Sequence, residues 1–464
     1  MRISRLSLLP SAALRRVDDS PQIHGVRAVL QNRVVADLFF TVGSRVAQMA
    51  LALLGSVLSA RTLGPVDFGR FGLVIASVTI CGTLADAGLT YTSVKLISEH
   101  TDSDRPKALG IARTYFALRL ISGAVVALAG FLLAEPIARS ILGQADLTPY
   151  LQLAFATLLS LSISSYPGMV LVGLERFGRL GLVGVLNALI TVSGILLLFL
   201  MGNLTLETLV AWNVVLPLVS TLPAWLMLPR EWLPFKLHDG PYSRLELTRT
   251  MLGFSKWMAI AGVGTIVAGQ LDLILLGRLS DAALVGVYSV ALTLALRLDI
   301  VNQSLITVML PKAGRLRNRQ EVRHYTRRTL LISLMLALFL GGVVLIAQPV
   351  ITFLYGERYV ASAGLFMALV VVVLFDLVTS SLFLLALPLN RPRVLAVGDW
   401  LRAGIMGSSA WLLIPIYGGY GAVAARFIAR VLGAVYTLLA LRGSGNDEGR
   451  ETEDDGLSQP FHFQ

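Results

Sequence analysis

The sequence predicts an all-α integral membrane protein of about twelve transmembrane helices, arranged as two six-helix bundles related by a parallel pseudo-repeat. Three observations predict it: depletion of charge, a series of long apolar runs, and alternation of basic residues between successive loops. Of 464 residues, 55% are hydrophobic and only 14% are charged, and the mean hydropathy is +0.73. Soluble domains carry about 25% charged residues. Charge is costly in hydrocarbon, so its loss marks a bilayer as the solvent.

The apolar runs lie near 35–60, 69–97, 108–134, 147–173, 180–202 and 204–228, then 250–277, 282–311, 329–347, 361–387, 394–415 and 418–441. Each is long enough to cross about 30 Å of hydrocarbon. The runs fall into a lobe at 35–228 and a lobe at 250–441, separated by a polar inter-lobe loop at 229–249. Residues 1–34 are basic and lack a long apolar stretch before a small-residue cleavage site, so they read as a cytoplasmic segment, not a signal peptide. Residues 442–464 are acidic and read as a disordered cytoplasmic tail.

The basic residues orient the chain. Of 39 Lys and Arg, 26 fall in the terminal segments and every second loop. The intervening loops hold only Arg61, Arg70, Arg139, Arg278 and Arg358. The positive-inside rule then places both termini in the cytoplasm of a bacterial cell, with the chain in its inner membrane. The net charge of +11 is accounted for by this loop bias, so nucleic acid is not an expected partner. Anionic membrane lipids suffice.

Six spans per lobe bring both lobes to the same starting side, which makes them parallel repeats. One connection repeats in sequence. Arg61-Thr-Leu-Gly64-Pro-Val-Asp-Phe-Gly69-Arg-Phe71 joins spans one and two, and Arg278-Leu-Ser-Asp-Ala-Ala-Leu-Val-Gly286-Val-Tyr288 joins spans seven and eight. Arg, Gly and an aromatic recur in register, 217 residues apart.

Polar residues inside spans mostly serve helix packing. Ionisable ones are different, because they must face the interior, pair or line water. Arg45, Arg119, Lys256 and Arg297 lie deep enough for a central cavity and suit an anionic substrate. Gln48, Thr83, Asp86 and Asp299 are the polar and ion-coupling candidates. Asp399 and Arg402 are spaced to pair along one helix face. Arg426 and Arg430 are placed to snorkel toward an interface. There is no G-x-x-x-x-G-K-[ST] run, no extramembrane loop large enough for a catalytic domain and no metal-ligand cluster. The reading is therefore not an enzyme and needs no cofactor. Without an ATPase, a proton or sodium gradient or consumption of the substrate must set direction.

Ala60-Arg-Thr-Leu-Gly-Pro-Val-Asp-Phe-Gly-Arg-Phe-Gly72 resembles the run that follows the first span in polysaccharide (lipid-linked oligosaccharide) flippases of the MOP superfamily. Gln270-Leu-Asp-Leu-Ile-Leu-Leu-Gly277 and Val285-Gly-Val-Tyr-Ser289 are similar to that family's Asp-bearing seventh span and the entry to its eighth. The resemblance implies a two-lobed transporter that moves undecaprenyl-pyrophosphate-linked glycans to the periplasmic leaflet by alternating access, for exopolysaccharide or O-antigen export. It implies a lipid-linked glycan substrate, with a polymerase and assembly machinery as partners. It makes Arg45 the lead cavity cation, with Lys256 and Arg297 behind it. It makes Arg61, Gly64, Gly69, Asp272, Gly286 and Tyr288 structural motif residues. Three alternatives stay open: a cation-coupled multidrug antiporter of the same superfamily, a membrane polysaccharide polymerase or glycosyltransferase, and a non-transporting scaffold.

Overall fold

The computed structural model describes residues 33–234, 242–313, 319–383 and 392–451. Residues 1–32, 235–241, 314–318, 384–391 and 452–464 lie outside the described residues. The described secondary structure is helical throughout.

Helix α1 (Arg33–Asp86) contains a sharp turn at Gly64 (φ 75°) followed by Pro65. The glycine supplies a left-handed conformation, and the proline re-enters a helix with no amide to satisfy. The part of α1 from Gly43 on is 44 residues long, or about 66 Å of helix, twice what one crossing needs. It therefore makes two passes. The second continues through α2 (Leu89–His100), after a break at Ala87 (φ 46°) and Gly88 (φ 71°). The sequence reads this pass as one unbroken run, and the break is an addition from the structure.

The first lobe is completed by α3 (Arg105–Leu132), the stacked pair α4 (Thr148–Phe155) and α5 (Thr157–Gly173), α6 (Phe177–Leu200) and α7 (Leu206–Met227). The second holds α8 (Arg244–Leu279), α9 (Ala282–Ala313), α10 (Arg319–Gly341) with its extension α11 (Ala347–Tyr355), α12 (Ala361–Phe383), α13 (Pro392–Tyr417) and α14 (Gly419–Glu451). The layout is twelve passes. Among the described residues, nine helical segments are long and apolar enough to cross a membrane. Helix α14 runs to Glu451, into the segment whose composition reads as disordered. Extending an established helix is cheap, because only nucleation is costly.

Caps fix the starts. Asp104 accepts the Lys107 amide at 3.2 Å to open α3. Thr205 and Thr208 form a capping box at α7, and Asp281 accepts the Leu284 amide at 2.7 Å to open α9. On α6 only Val183 and Ile195 are buried. Leu200, Leu226, Leu338, Phe339, Leu345 and Phe353 are all largely exposed. In water such a surface would drive aggregation. In a bilayer it is the lipid-facing wall.

We call the end of the bundle that carries the Gly64 turn the far end, and the opposite one the near end. At the far end the lobes interlock reciprocally. A Cβ on Gly69 would stand 2.0 Å from the Ala282 carbonyl oxygen, and one on Gly286 would stand 1.9 Å from that of Pro65. Tyr359 donates to the Ala60 carbonyl at 2.9 Å, while Gln144 donates to the Gly277 carbonyl at 3.4 Å. Arg61 donates to the Phe353 carbonyl, and Arg278 lies over Gly143. Partners 60 and 277, 61 and 278, 65 and 282, and 69 and 286 share the 217-residue offset. The repeat seen in sequence is thus a pseudo-two-fold helix crossing.

At the near end the inter-lobe linker is fastened to the first lobe. Trp232 is buried, and its carbonyl accepts the Tyr166 hydroxyl. Arg105 pairs with Glu231, and Tyr242 donates to Asp104.

Candidate functional site: a cavity between the lobes

A cavity of about 390 Å3 opens where the two lobes meet. Its first-lobe wall comes from Gly55, Ser56, Ser59 and Gly72 of α1, Thr191 of α6, and Trp212 and Asn213 of α7. Its second-lobe wall comes from Gln270 of α8 and from Ser289, Thr293 and Arg297 of α9. Those last three recur every four residues, so they share one helix face. Trp212 reaches the cavity because position 194 is glycine: a Cβ there would stand 2.0 Å from the indole ring.

Arg297 is the sole charged residue lining this cavity among the described residues. No described carboxylate stands within ion-pair distance of it. The remaining polar lining is neutral. Phe68, Phe71, Ile75, Leu273 and Leu292 supply apolar surface.

Other predicted residues sit elsewhere. Arg45 is exposed and outside the cavity lining, as is Lys256. Gln48 packs against Gly184 of α6, where a Cβ would come within 2.6 Å of its amide. Thr83 donates to the Thr79 carbonyl at 3.1 Å, back-bonding its own helix. Arg119 is buried, with its Nε 3.6 Å from Asp86 Oδ1. Asp86 also accepts the Thr90 hydroxyl across the break in the second pass. Thr90 in turn meets the Tyr115 hydroxyl at 2.9 Å. This network ties the break to α3. Asp299 accepts from Asn302 at 3.1 Å and Gln303 at 3.2 Å, both on its own helix.

Inside the second lobe a small cavity of about 70 Å3 is bordered by Thr265, Asp399, Arg402, Arg426 and Arg430. Arg426 pairs with Asp272 at 2.6 Å, and Asp272 also accepts the Tyr288 hydroxyl. Arg430 pairs with Asp376 at 3.3 Å, and Arg402 with Asp399 at 3.3 Å. The sequence alone places Arg426 and Arg430 toward an interface. They turn inward because carboxylates on neighbouring helices are there to neutralise them. Asp272 and Tyr288, which the motif marks as structural, belong to this buried cluster. Among the described residues no group of His, Cys, Asp or Glu is placed to hold a metal ion.

The sequence profile of the family described as "Polysaccharide biosynthesis protein" matches residues 34–317, more than half of the chain. The chain belongs to that family. Its fold is that of MOP-superfamily transporters. An inward-facing multidrug resistance MATE transporter of that superfamily aligns with a TM-score of 0.69 at 18% identity, over 85% of this chain and 95% of that one. The lipid II flippase MurJ, in an inward closed conformation, aligns at 0.68 and 13% identity, over 87% of each chain. The eukaryotic MATE transporter AtDTX14 aligns at 0.61 and 16%, over 88% of this chain and 95% of that one. No curated protein matches the chain in sequence. The cavity at the lobe junction is lined by residues of both lobes.

Proposed function

We propose that the chain is a flippase that carries polyprenyl-pyrophosphate-linked oligosaccharide units from the cytoplasmic to the periplasmic leaflet by alternating access. The observation that carries this reading is the inter-lobe cavity, with one uncompensated guanidinium, Arg297, among neutral polar groups. A glycan headgroup needs a polar path through the bilayer, while its lipid tail can stay in hydrocarbon. The family assignment and the fold likeness to a lipid II flippase support the substrate class. The basic loop bias supports a cytoplasmic near end, with the far-end crossing facing the periplasm. Asp86 and Asp299 are the proposed coupling groups for a proton or sodium gradient. A polymerase that uses the delivered units is the proposed downstream partner.

The second reading is a cation-coupled drug antiporter, favoured by the likeness to MATE transporters. The cavity speaks against it. A lining with a guanidinium and no carboxylate repels organic cations. Deleting the gene separates the two. The flippase reading predicts loss of a surface polymer together with build-up of complete glycan units on the cytoplasmic leaflet. Unchanged polymer, no build-up and new drug sensitivity, in a strain without a redundant flippase, would move drug export to first place.

A further inference from the structure

The second pass is broken where its repeat is not. The 217-residue offset pairs Asp86 with Gln303 and Gly88 with Leu305, yet α9 runs unbroken from Ala282 to Ala313. The break is strained, because Ala87 (φ 46°) takes a left-handed conformation that a residue with a Cβ avoids. Contacts on both sides hold it.

On the first-lobe side, Asp86 accepts the Thr90 hydroxyl across the break, and Tyr115 links Thr90 to Ser165, at 2.9 Å and 3.0 Å. Ser122 of α3 donates to the Ala85 carbonyl at 2.6 Å. Arg119 of α3 faces Asp86 at 3.6 Å, an ionic contact longer than a charge-assisted hydrogen bond. The Nε and Nη1 of this buried guanidinium have no hydrogen-bond partner among the described residues. Donors therefore remain for a second arrangement of the pair.

On the other side, Gly88 is seated on α8. A Cβ there would stand 2.8 Å from the Ser255 carbonyl oxygen, 2.8 Å from Met258 Cβ and 2.9 Å from the Ala259 nitrogen. The seat is the edge of a larger contact. Leu247 and Met251 of α8 are buried in one core with Leu89, Ile97 and Tyr115 of the first lobe, and Lys95 stands over the Phe254 ring at 4.2 Å. Beyond the seat α8 is held by the second lobe. Trp400 of α13 donates to the Ile260 carbonyl at 3.0 Å, and Thr265 donates to Asp399 at 2.8 Å. The near-end turns of a second-lobe helix thus lie in the first-lobe core. Continuing the second pass as one helix would give residues 87 and 88 right-handed torsions. It would swing α2, with Leu89 and Ile97, off its present line.

We propose that the break is a latch between the lobes: Asp86, held against Arg119 and Thr90, keeps the second pass kinked, and the kink seats Gly88 on α8 and closes the near end. In the other state the pass straightens and the near-end turns of α8 leave with the second lobe. Such a two-state element moves with whatever favours one of its arrangements. The latch concerns motion and stands whichever solute is carried.

The test uses the full chain in lipid nanodiscs, with Cys81 replaced by serine and spin labels at exposed Phe177 of the first lobe and Arg249 of α8. Asp86→Asn keeps an acceptor for Thr90 and removes the charge facing Arg119. Gly88→Ala puts a methyl against the α8 backbone. Each should raise the longer-distance component about fivefold or more. Ala87→Gly removes the left-handed penalty, so adding it to Asp86→Asn should move the equilibrium back toward the short distance by about 5–30-fold. If Gly88→Ala does not fold, Asp86→Asn with and without Ala87→Gly carries the test. A network that only stabilises the first lobe would lower the melting temperature of Asp86→Asn and leave the distances as they are, and that result overturns the latch. A longer component that Ala87→Gly does not reduce overturns it as well. Either failure leaves the flippase reading standing, because no solute enters the measurement.

Discussion

Replacing Gly286 with alanine should unlock the far end of the molecule. The added methyl would stand 1.9 Å from the Pro65 carbonyl oxygen, where ordinary contact begins at 3.4 Å. The obstacle is backbone, so no rotamer change relieves it. The α1 and α9 crossing must open by roughly 1.5 Å, which close-packed helices resist. Overpacking of this kind costs about 1–3 kcal/mol. The cost falls on the state in which the lobes interlock, so the equilibrium moves about 5–150-fold toward a far end that is open. Gly69→Ala meets the Ala282 carbonyl at 2.0 Å and should act alike, by the pseudo-symmetry. Spin labels at exposed Ile141 and Glu357, one on each lobe at the far end, would report the change once Cys81 is replaced by serine. Their distance distribution should gain a longer component in both variants, and transport should fall. An unchanged distribution with undiminished transport in both would refute the interlock as a gate.

Three further outcomes are expected. Arg426→Ala leaves Asp272 as an unpaired buried charge and should destabilise the protein by about 3–5 kcal/mol, seen as a lower melting temperature in detergent; Asp272→Ala/Arg426→Ala should recover part of the loss, and a double variant no better than the worse single one would contradict the pairing. The hydrogen bond from Tyr242, with the nearby Lys107 amide, holds the Asp104 carboxyl below its ordinary value, and the same bond pushes the Tyr242 hydroxyl up. A depressed carboxyl stabilises above its unfolded value, about 3.9, and loses that contribution as pH falls through its lower folded value. Protease cleavage near the linker should therefore rise below about pH 4, and Tyr242→Phe should remove the pH dependence; an identical profile in the variant would discard the clasp. Asp86→Asn and Asp299→Asn together should abolish the sensitivity of transport to ionophores; if both carriers stay fully sensitive, neither group couples a gradient.

The passes were legible because a bilayer imposes length on every crossing helix, and length is written plainly in sequence. The repeat was legible at Arg61 and Arg278, and at Gly69 and Gly286, because one geometry is used twice. The site was legible only in part. Depth along a helix can be estimated from sequence, but the direction a residue faces depends on which helices pack where. Arg45 and Arg297 satisfied the same depth argument, yet Arg45 is exposed and Arg297 lines the cavity. Asp86 and Arg119 sit on different passes, and Asp272 and Arg426 lie 154 residues apart. The spacing rules that reveal pairs along one helix say nothing of pairs between helices. Trp212 was invisible, because in an apolar span an indole reads as one more hydrophobic residue. Its signal was Gly194, which clears room for it.

Reconstitution would test the flippase reading most directly. The glycan lipid accumulated by the deletion strain would be placed in the inner leaflet of proteoliposomes, and its arrival in the outer leaflet followed with a membrane-impermeant enzyme that modifies the sugar. The natural chain should deliver the glycan lipid, and Arg297→Ala should deliver it much more slowly at equal protein content. No delivery above protein-free vesicles by the natural chain, under an imposed gradient of either sign, would contradict the proposed activity.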